Sequence, residues 1–249
     1  MINPEINVAA TSLTTTYNTA AEFPHIVFND FINKTILDDV AGEAKFLVNE
    51  EDAETSEWRM GSKQWNDAID HNDQVFKRGI RDLEKMPFYM NLLCRYFNSD
   101  EFMEFMRQLT GIEDLSPDWG LEGGGFHVTY PGGLLNIHHD FNYKDDIAPV
   151  RMYRKVNLLI YLNEEWEDDW QGALELWKSD LTEDFKTLQP KYGRAIIFNI
   201  EDAPHGHPEP LMCPPGESRR SLAFYYYSQT PPNNRLYDRA HWKHGQELI

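Results

Sequence analysis

Gly123-Gly124-Gly125-Phe126-His127-Val128-Thr129-Tyr130-Pro131-Gly132-Gly133-Leu134-Leu135-Asn136-Ile137-His138-His139-Asp140 is the stretch on which the fold turns. Before it, apolar residues recur at helical spacing. From it onward, short runs of period-2 or wholly apolar character alternate with turn residues, the pattern of an all-β sandwich or barrel. The expected strands are Phe126 to Tyr130, Leu134 to His138, Val156 to Leu162, Ala173 to Trp177, Ala195 to Asn199 and Ser221 to Tyr227. A helical first half beside a β second half gives an α+β protein.

Upstream, Phe23 to Phe28 reads as a short strand. A helix then runs from about Asp30 to Leu47, with Ile36, Leu37, Val40 and Ala44 on one face. Two shorter helices follow, Met86 to Phe97 and Asp100 to Leu109. Pro87 suits a first turn, Asp100 a start and Gly111 a stop. Phe102, Phe105, Met106 and Leu109 recur at helical spacing and belong to the core. Met1 to Ala21 shows no clear periodicity and is expected to be a loosely packed arm, while 49–73 is polar and receives no element. The expected organisation is one structural domain: an arm at 1–22, a mainly helical supporting region at 23–120, the β core at 121–230 and a tail at 231–249.

A chain of 249 residues can bury one sizeable core, and 41% hydrophobic with 13% aromatic content excludes a disordered chain. The excess of 41 Asp+Glu over 23 Lys+Arg gives a formal charge of −18, which repels phosphate backbones and anionic headgroups and argues against nucleic-acid and membrane partners. Two cysteines, Cys94 and Cys213, form no stapled framework and suit a reducing compartment. With neither a signal-like N-terminus nor an apolar run long enough to span a bilayer, the expected location is cytoplasmic.

His138 and Asp140 lie two residues apart at the end of an expected strand, so their side chains share a face while His139 points the other way. Two imidazoles and one carboxylate leave three positions of an octahedral ion open, the arrangement of non-haem iron(II) oxygenases. The second imidazole must come from elsewhere, and His205 and His207 in Pro204-His205-Gly206-His207-Pro208 are both candidates. A dicarboxylate chelating such an ion would need a cation at its far end, which Arg219 or Arg220 could supply through paired hydrogen bonds. Residue types and spacing leave both choices open.

The run 123–133 followed by His138-His139-Asp140-Phe141-Asn142 resembles the prolyl 4-hydroxylase-like branch of the 2-oxoglutarate/iron(II) oxygenases, in particular bacterial and viral relatives of the animal oxygen-sensing prolyl hydroxylases. Val156-Asn157-Leu158-Leu159-Ile160-Tyr161-Leu162-Asn163, Gly172-Ala173-Leu174-Glu175-Leu176, 205–211 and 219–227 extend the likeness in the same order. The resemblance implies a double-stranded β-helix, or jelly roll, buttressed by N-terminal helices.

It also implies that His138, Asp140 and His205 bind iron(II) and that Arg219 meets the distal carboxylate of 2-oxoglutarate. Tyr161 is implied to donate a hydrogen bond beside Arg219, and Tyr130 to lie near the co-substrate and the iron. The implied reaction consumes dioxygen and 2-oxoglutarate, releases succinate and carbon dioxide, and hydroxylates a substrate. Retention of Asp140 favours hydroxylation over halogenation. A prolyl residue in a peptide or protein is the implied substrate; a free amino acid or other small molecule is the alternative.

Two departures from the family pattern stand out. Gln171 occupies a position where relatives often have a first glycine before Gly172, and Ala223 and Tyr225 differ from the residues that relatives carry. The polar stretch 58–81 could cover a peptide. A zinc hydrolase would leave Arg219 and Tyr161 without a role and lacks a His-Glu-x-x-His motif, and a non-catalytic jelly-roll module would leave the whole ligand set unexplained. His241 and His244 are read as part of an exposed tail.

Overall fold

The computed structural model describes residues 1–8, 10–49, 74–144, 150–233 and 236–243. Helices α1 (Pro4–Val8), α2 (Ala10–Asn18), α3 (Lys34–Asn49), α4 (Phe88–Phe97) and α5 (Asp100–Thr110) pack on one face of a large antiparallel sheet. Its strands are β1 (His25–Phe28), β2 (Gln74–Ile80), β3 (Ser116–Pro117), β4 (Gly125–His139), β5 (Tyr143–Lys144), β6 (Met152–Tyr161), β7 (Leu174–Trp177), β8 (Asp184–Leu188), β9 (Ala195–Asn199), β10 (His205–His207), β11 (Arg219–Ser228) and β12 (His241–Trp242). The hydrogen-bonded order β1-β9-β6-β11-β4-β10-β7-β8 curls into the expected jelly-roll core of an α+β protein.

Alternation along the strands separates two interiors. In β6, Val156, Leu158 and Ile160 face the helices, whereas Leu159 and Tyr161 face inward with Leu174, Leu176, Ile196 and Phe198. In β11, Leu222, Phe224 and Tyr226 face the helices and Ala223 and Tyr225 do not. The helix-side core is aromatic at its centre: Phe97 lies 4.8 Å from Phe102 and 4.9 Å from Phe224, centroid to centroid. α5 is well delimited, since the Ser99 side chain accepts from the Phe102 amide at its start and Gly111 takes the left-handed conformation at its end.

β4 joins the two halves of the roll. Its first part pairs with β11, its second part with β10 and β12, and β2 pairs with both parts. Two strands separated by a Pro-Gly-Gly turn were expected here, yet the strand continues through Pro131-Gly132-Gly133. The reason is a partner distant in sequence: the Gly132 amide donates to the Leu211 carbonyl at 2.8 Å, and the Leu211 amide returns to Gly133 at 2.9 Å.

Three further expectations are corrected. The N-terminal residues form helices rather than a loose arm, because Tyr17 is buried in the helix-side core and Ile2 bridges to Ile32. Of the stretch 58–81, residues 58–73 lie outside the described residues, and Gln74–Ile80 is a strand paired to β4 where no element was expected. The tail is not wholly exposed, since His241–Trp242 pairs with β4 and both residues are half-buried; His244 lies outside the described residues. No helix among the described residues is long and apolar enough to cross a membrane.

Candidate active site

The end of β4 lies against β10 with His138 directly opposite His205, and the chain leaves β4 into Asp140. This register brings one nitrogen of each imidazole and one carboxylate oxygen within 4.8 Å of one another. His138 Nε2 is 3.5 Å from Asp140 Oδ1, and His205 Nε2 is 3.5 Å from Asp140 Oδ2. Gly206 permits the approach, because a Cβ there would meet the carbonyl oxygens of Leu135 and Asn136 at 2.6 Å.

Each ring is held through its other nitrogen. His138 Nδ1 donates to the Asn136 carbonyl at 2.8 Å and His205 Nδ1 to the Ala203 carbonyl at 3.0 Å, which turns both Nε2 lone pairs toward Asp140. Aromatic neighbours fix the ring planes: Trp242 is 4.7 Å from His138, and Phe198 is 4.9 Å from His205. Burial pushes the His205 imidazole down to about 4, against the pull of Asp140. It is therefore neutral and able to donate its lone pair at physiological pH.

Asp140 sits in an unusual buried environment. Burial alone would raise its pKa, but Arg154, His205 and His138 together hold it well below the usual carboxylate range. Arg154 Nη2 and Asn157 Nδ2 both donate to Oδ2, at 2.7 and 2.8 Å, and Arg154 Nε donates to Asn157 Oδ1 at 2.9 Å. The Arg154 guanidinium is itself covered by the rings of Phe141 and Tyr225. Two imidazoles and one carboxylate are the donor chemistry that suits a first-row divalent ion, so the residues present fit iron(II).

Arg219 opens β11 and is buried beside the inward-facing Tyr161. Its Nε donates to the Gly172 carbonyl at 2.7 Å, and its Nη2 donates to the Tyr161 hydroxyl oxygen at 3.0 Å. The Tyr161 O–H remains to donate elsewhere, and burial keeps it protonated by raising its pKa despite Arg219 and Arg194. Gly172 is required here: its φ is +76°, and a Cβ would stand 2.5 Å from Leu211 Cδ2. Arg220 faces away and pairs with Glu217 at 3.8 Å.

The structure thus brings together His138, Asp140 and His205, and separately Arg219 with Tyr161. Tyr130 joins neither group. It packs on the helix-side core under the Arg78 guanidinium, 5.4 Å from its ring centre. His139 also faces away, its ring stacked on Tyr237 at 5.6 Å. Sequence reasoning assigned no role to Arg154, Asn157 or Trp242. The only available signal was a run of cations, Arg151, Arg154 and Lys155, entering an otherwise apolar strand.

With this geometry in place, residues 124–227 can be set beside known families. They match the 2OG-Fe(II) oxygenase superfamily. That superfamily implies iron(II), 2-oxoglutarate and dioxygen as cofactor and co-substrates. No curated protein matches the chain.

Among solved structures, the fold is similar to a prolyl-4-hydroxylase from Pseudomonas putida, 18% identical with a TM-score of 0.58 over 88% of this chain and 98% of that one. It is also similar to a Trichoplax adhaerens prolyl hydroxylase in complex with a hypoxia inducible factor oxygen degradation domain peptide fragment, 16% identical with a TM-score of 0.61 over 90% and 91%. HygX from Streptomyces hygroscopicus, bound to nickel, 2-oxoglutarate and hygromycin B, shares the fold at 13% identity, with a TM-score of 0.53 over 86% of each chain.

Proposed function

We propose that this protein is an iron(II)- and 2-oxoglutarate-dependent hydroxylase acting on a prolyl residue in a peptide or protein. The observation that carries the metal assignment is the convergence of His138, Asp140 and His205 within 4.8 Å, each imidazole already oriented by a backbone carbonyl. These three residues would hold the iron. Arg219 would meet the distal carboxylate of 2-oxoglutarate with charge-assisted hydrogen bonds, and the Tyr161 O–H would add another.

When bound, iron(II) with 2-oxoglutarate supplies the oxidising chemistry that couples decarboxylation to hydroxylation. The chain's own residues position and shield. Arg154 and Asn157 keep Asp140 ionised and fix its orientation. Trp242 and Phe198 press the two imidazoles into place and keep water from their outer faces. The guanidinium of Arg219 stays in one plane because Gly172 and Tyr161 hold two of its five N–H groups.

The prolyl assignment rests on the residue pattern of 123–133, 138–142, 156–163 and 205–211, with the peptide-bound Trichoplax enzyme as a precedent for this fold receiving a peptide. A small-molecule substrate is the second reading, favoured by the same fold in HygX with hygromycin B and in EctD from S. alaskensis with 5-hydroxyectoine. Succinate formation under air with added iron(II) tests the activity, comparing the parent with His138→Ala and Arg219→Ala. Supplying proline-containing peptides and free proline in turn, and weighing each for a gain of one oxygen, separates the substrates. Modification of free proline with none of the peptides would overturn the peptide assignment.

A further inference from the structure

β10 carries two histidines, and only His205 belongs to the three-residue group. His207 is 2% exposed, yet neither of its ring nitrogens has a hydrogen-bond partner. A neutral imidazole presents one N–H donor and one acceptor, and leaving both unmet in the interior is costly. The native fold tolerates this where a ligand completes the bond.

The surroundings of His207 say which ligand. His207 on β10 and Arg219 on β11 both pair along β4, opposite Leu135 and Thr129, and β2 pairs with the same two residues through Gln74 and Lys77. Lys77 and Arg219 stand in register on either side of Thr129, one from β2 and one from β11, so the three side chains share one face. An unpaired donor beside two cations calls for an anion with several acceptor oxygens. The carboxylate assigned to Arg219 has that chemistry.

We propose that His207 binds the co-substrate, its ring N–H donating to the distal carboxylate that Arg219 holds. The inference rests on the oxygenase reading of Arg219 and adds a residue to which that reading gives no part. It makes His207 a binding residue two positions beyond a proposed metal ligand, and β10 then serves both ends of the co-substrate.

The test is calorimetric titration of the full chain, loaded with nickel(II) as a redox-inert ion, with 2-oxoglutarate and with 2-oxobutyrate, which lacks the distal carboxylate. Loss of one hydrogen bond to a charged acceptor corresponds to an affinity drop of about 10- to 100-fold. His207→Val is expected to bind 2-oxoglutarate that much more weakly, with nickel and 2-oxobutyrate affinities unchanged. His207→Gln, whose amide restores an N–H donor, is expected to recover most of the loss. Without ligands, His207→Val is expected to melt at or above the parent temperature, since it removes an unpaired polar group.

Parent-like 2-oxoglutarate affinity in His207→Val would overturn the inference, as would an equal loss for 2-oxobutyrate or a lower melting temperature in the ligand-free protein. A parent that fails to bind 2-oxoglutarate overturns the oxygenase reading and takes the inference with it. A parent that binds and a His207→Val that binds equally well overturns the inference alone.

Discussion

Replacing Gln171 by glycine is expected to stabilise this protein. Gln171 has φ +61° and ψ −155°, a region of backbone space that is essentially confined to glycine. A non-glycine residue held there costs about 1–3 kcal/mol. Against this, glycine gives the unfolded chain more freedom, a penalty of about 0.4–1 kcal/mol. The side chain is exposed, so its removal adds little. The backbone bonds survive, because the Gln171 carbonyl accepts from Trp166 Nε1 at 2.9 Å whatever the side chain.

The net expectation for Gln171→Gly is a gain of roughly 0.5–2 kcal/mol, or about 1–8 °C in Tm for a chain of this size. Thermal unfolding of the metal-free protein measures it, with Gln171→Ala as the control. Alanine keeps the Cβ and hence the strain, and should gain nothing. Equal stabilities for the glycine and alanine variants would refute the strain argument. The result bears on function because the neighbouring Gly172 carbonyl holds Arg219.

Three other predictions follow from the site. Arg154→Met leaves the Asp140 carboxylate buried without its cation, which should cost about 3–5 kcal/mol of unfolding free energy. Adding Asp140→Asn should recover part of that loss, and strict additivity in denaturant titrations would count against the pairing. Gly172→Ala forces a Cβ against Leu211 and to 3.2 Å from Arg219 Cδ, so it should lower Tm and weaken 2-oxoglutarate binding in calorimetry; parent-like values in both would show that the turn is slack. Burial, foremost, pushes both His139 and His205 from 6.5 to about 4, so below pH 6.5 the unfolded chain takes up protons that the folded chain refuses. Stability of the metal-free protein is then full above pH 6.5 and falls toward pH 4 by up to about 1.4 kcal/mol per group per pH unit, and a denaturation midpoint unchanged between pH 7.5 and 5 would be inconsistent with it.

The strands of the core were legible because each is buried on at least one face and its apolar pattern survives in the chain. β6, β9 and β11 are the clearest cases. β8 escaped notice because it is an edge strand, Asp184-Phe185-Lys186-Thr187-Leu188, whose side chains are exposed or half-buried and carry no such pattern. The continuity of β4 depends on a partner at Leu211 that local turn chemistry could not announce. α2 was hidden for a different reason. Its Thr-rich sequence has modest helix propensity, and burial of Tyr17 in the tertiary core overrides it.

The candidate site was legible in proportion to its local character. His138 and Asp140 share a face by strand geometry, which spacing alone gives. Choosing His205 over His207 required the family pattern, since both are buried on β10. Arg154 was not legible because its significance lies in a contact with Asp140 across 14 residues of chain. Trp242 was misread with the tail, because nothing near it in sequence indicates pairing with β4.

The central claim is that one iron and one 2-oxoglutarate bind at adjoining groups of residues on this fold. Anaerobic titration with iron(II) followed by 2-oxoglutarate, measured by calorimetry, tests it most directly. The expected result is one equivalent of each for the parent, loss of iron binding in Asp140→Ala, and retention of iron with weakened 2-oxoglutarate binding in Arg219→Ala. Iron binding undiminished in Asp140→Ala, or 2-oxoglutarate binding indifferent to Arg219, would contradict it.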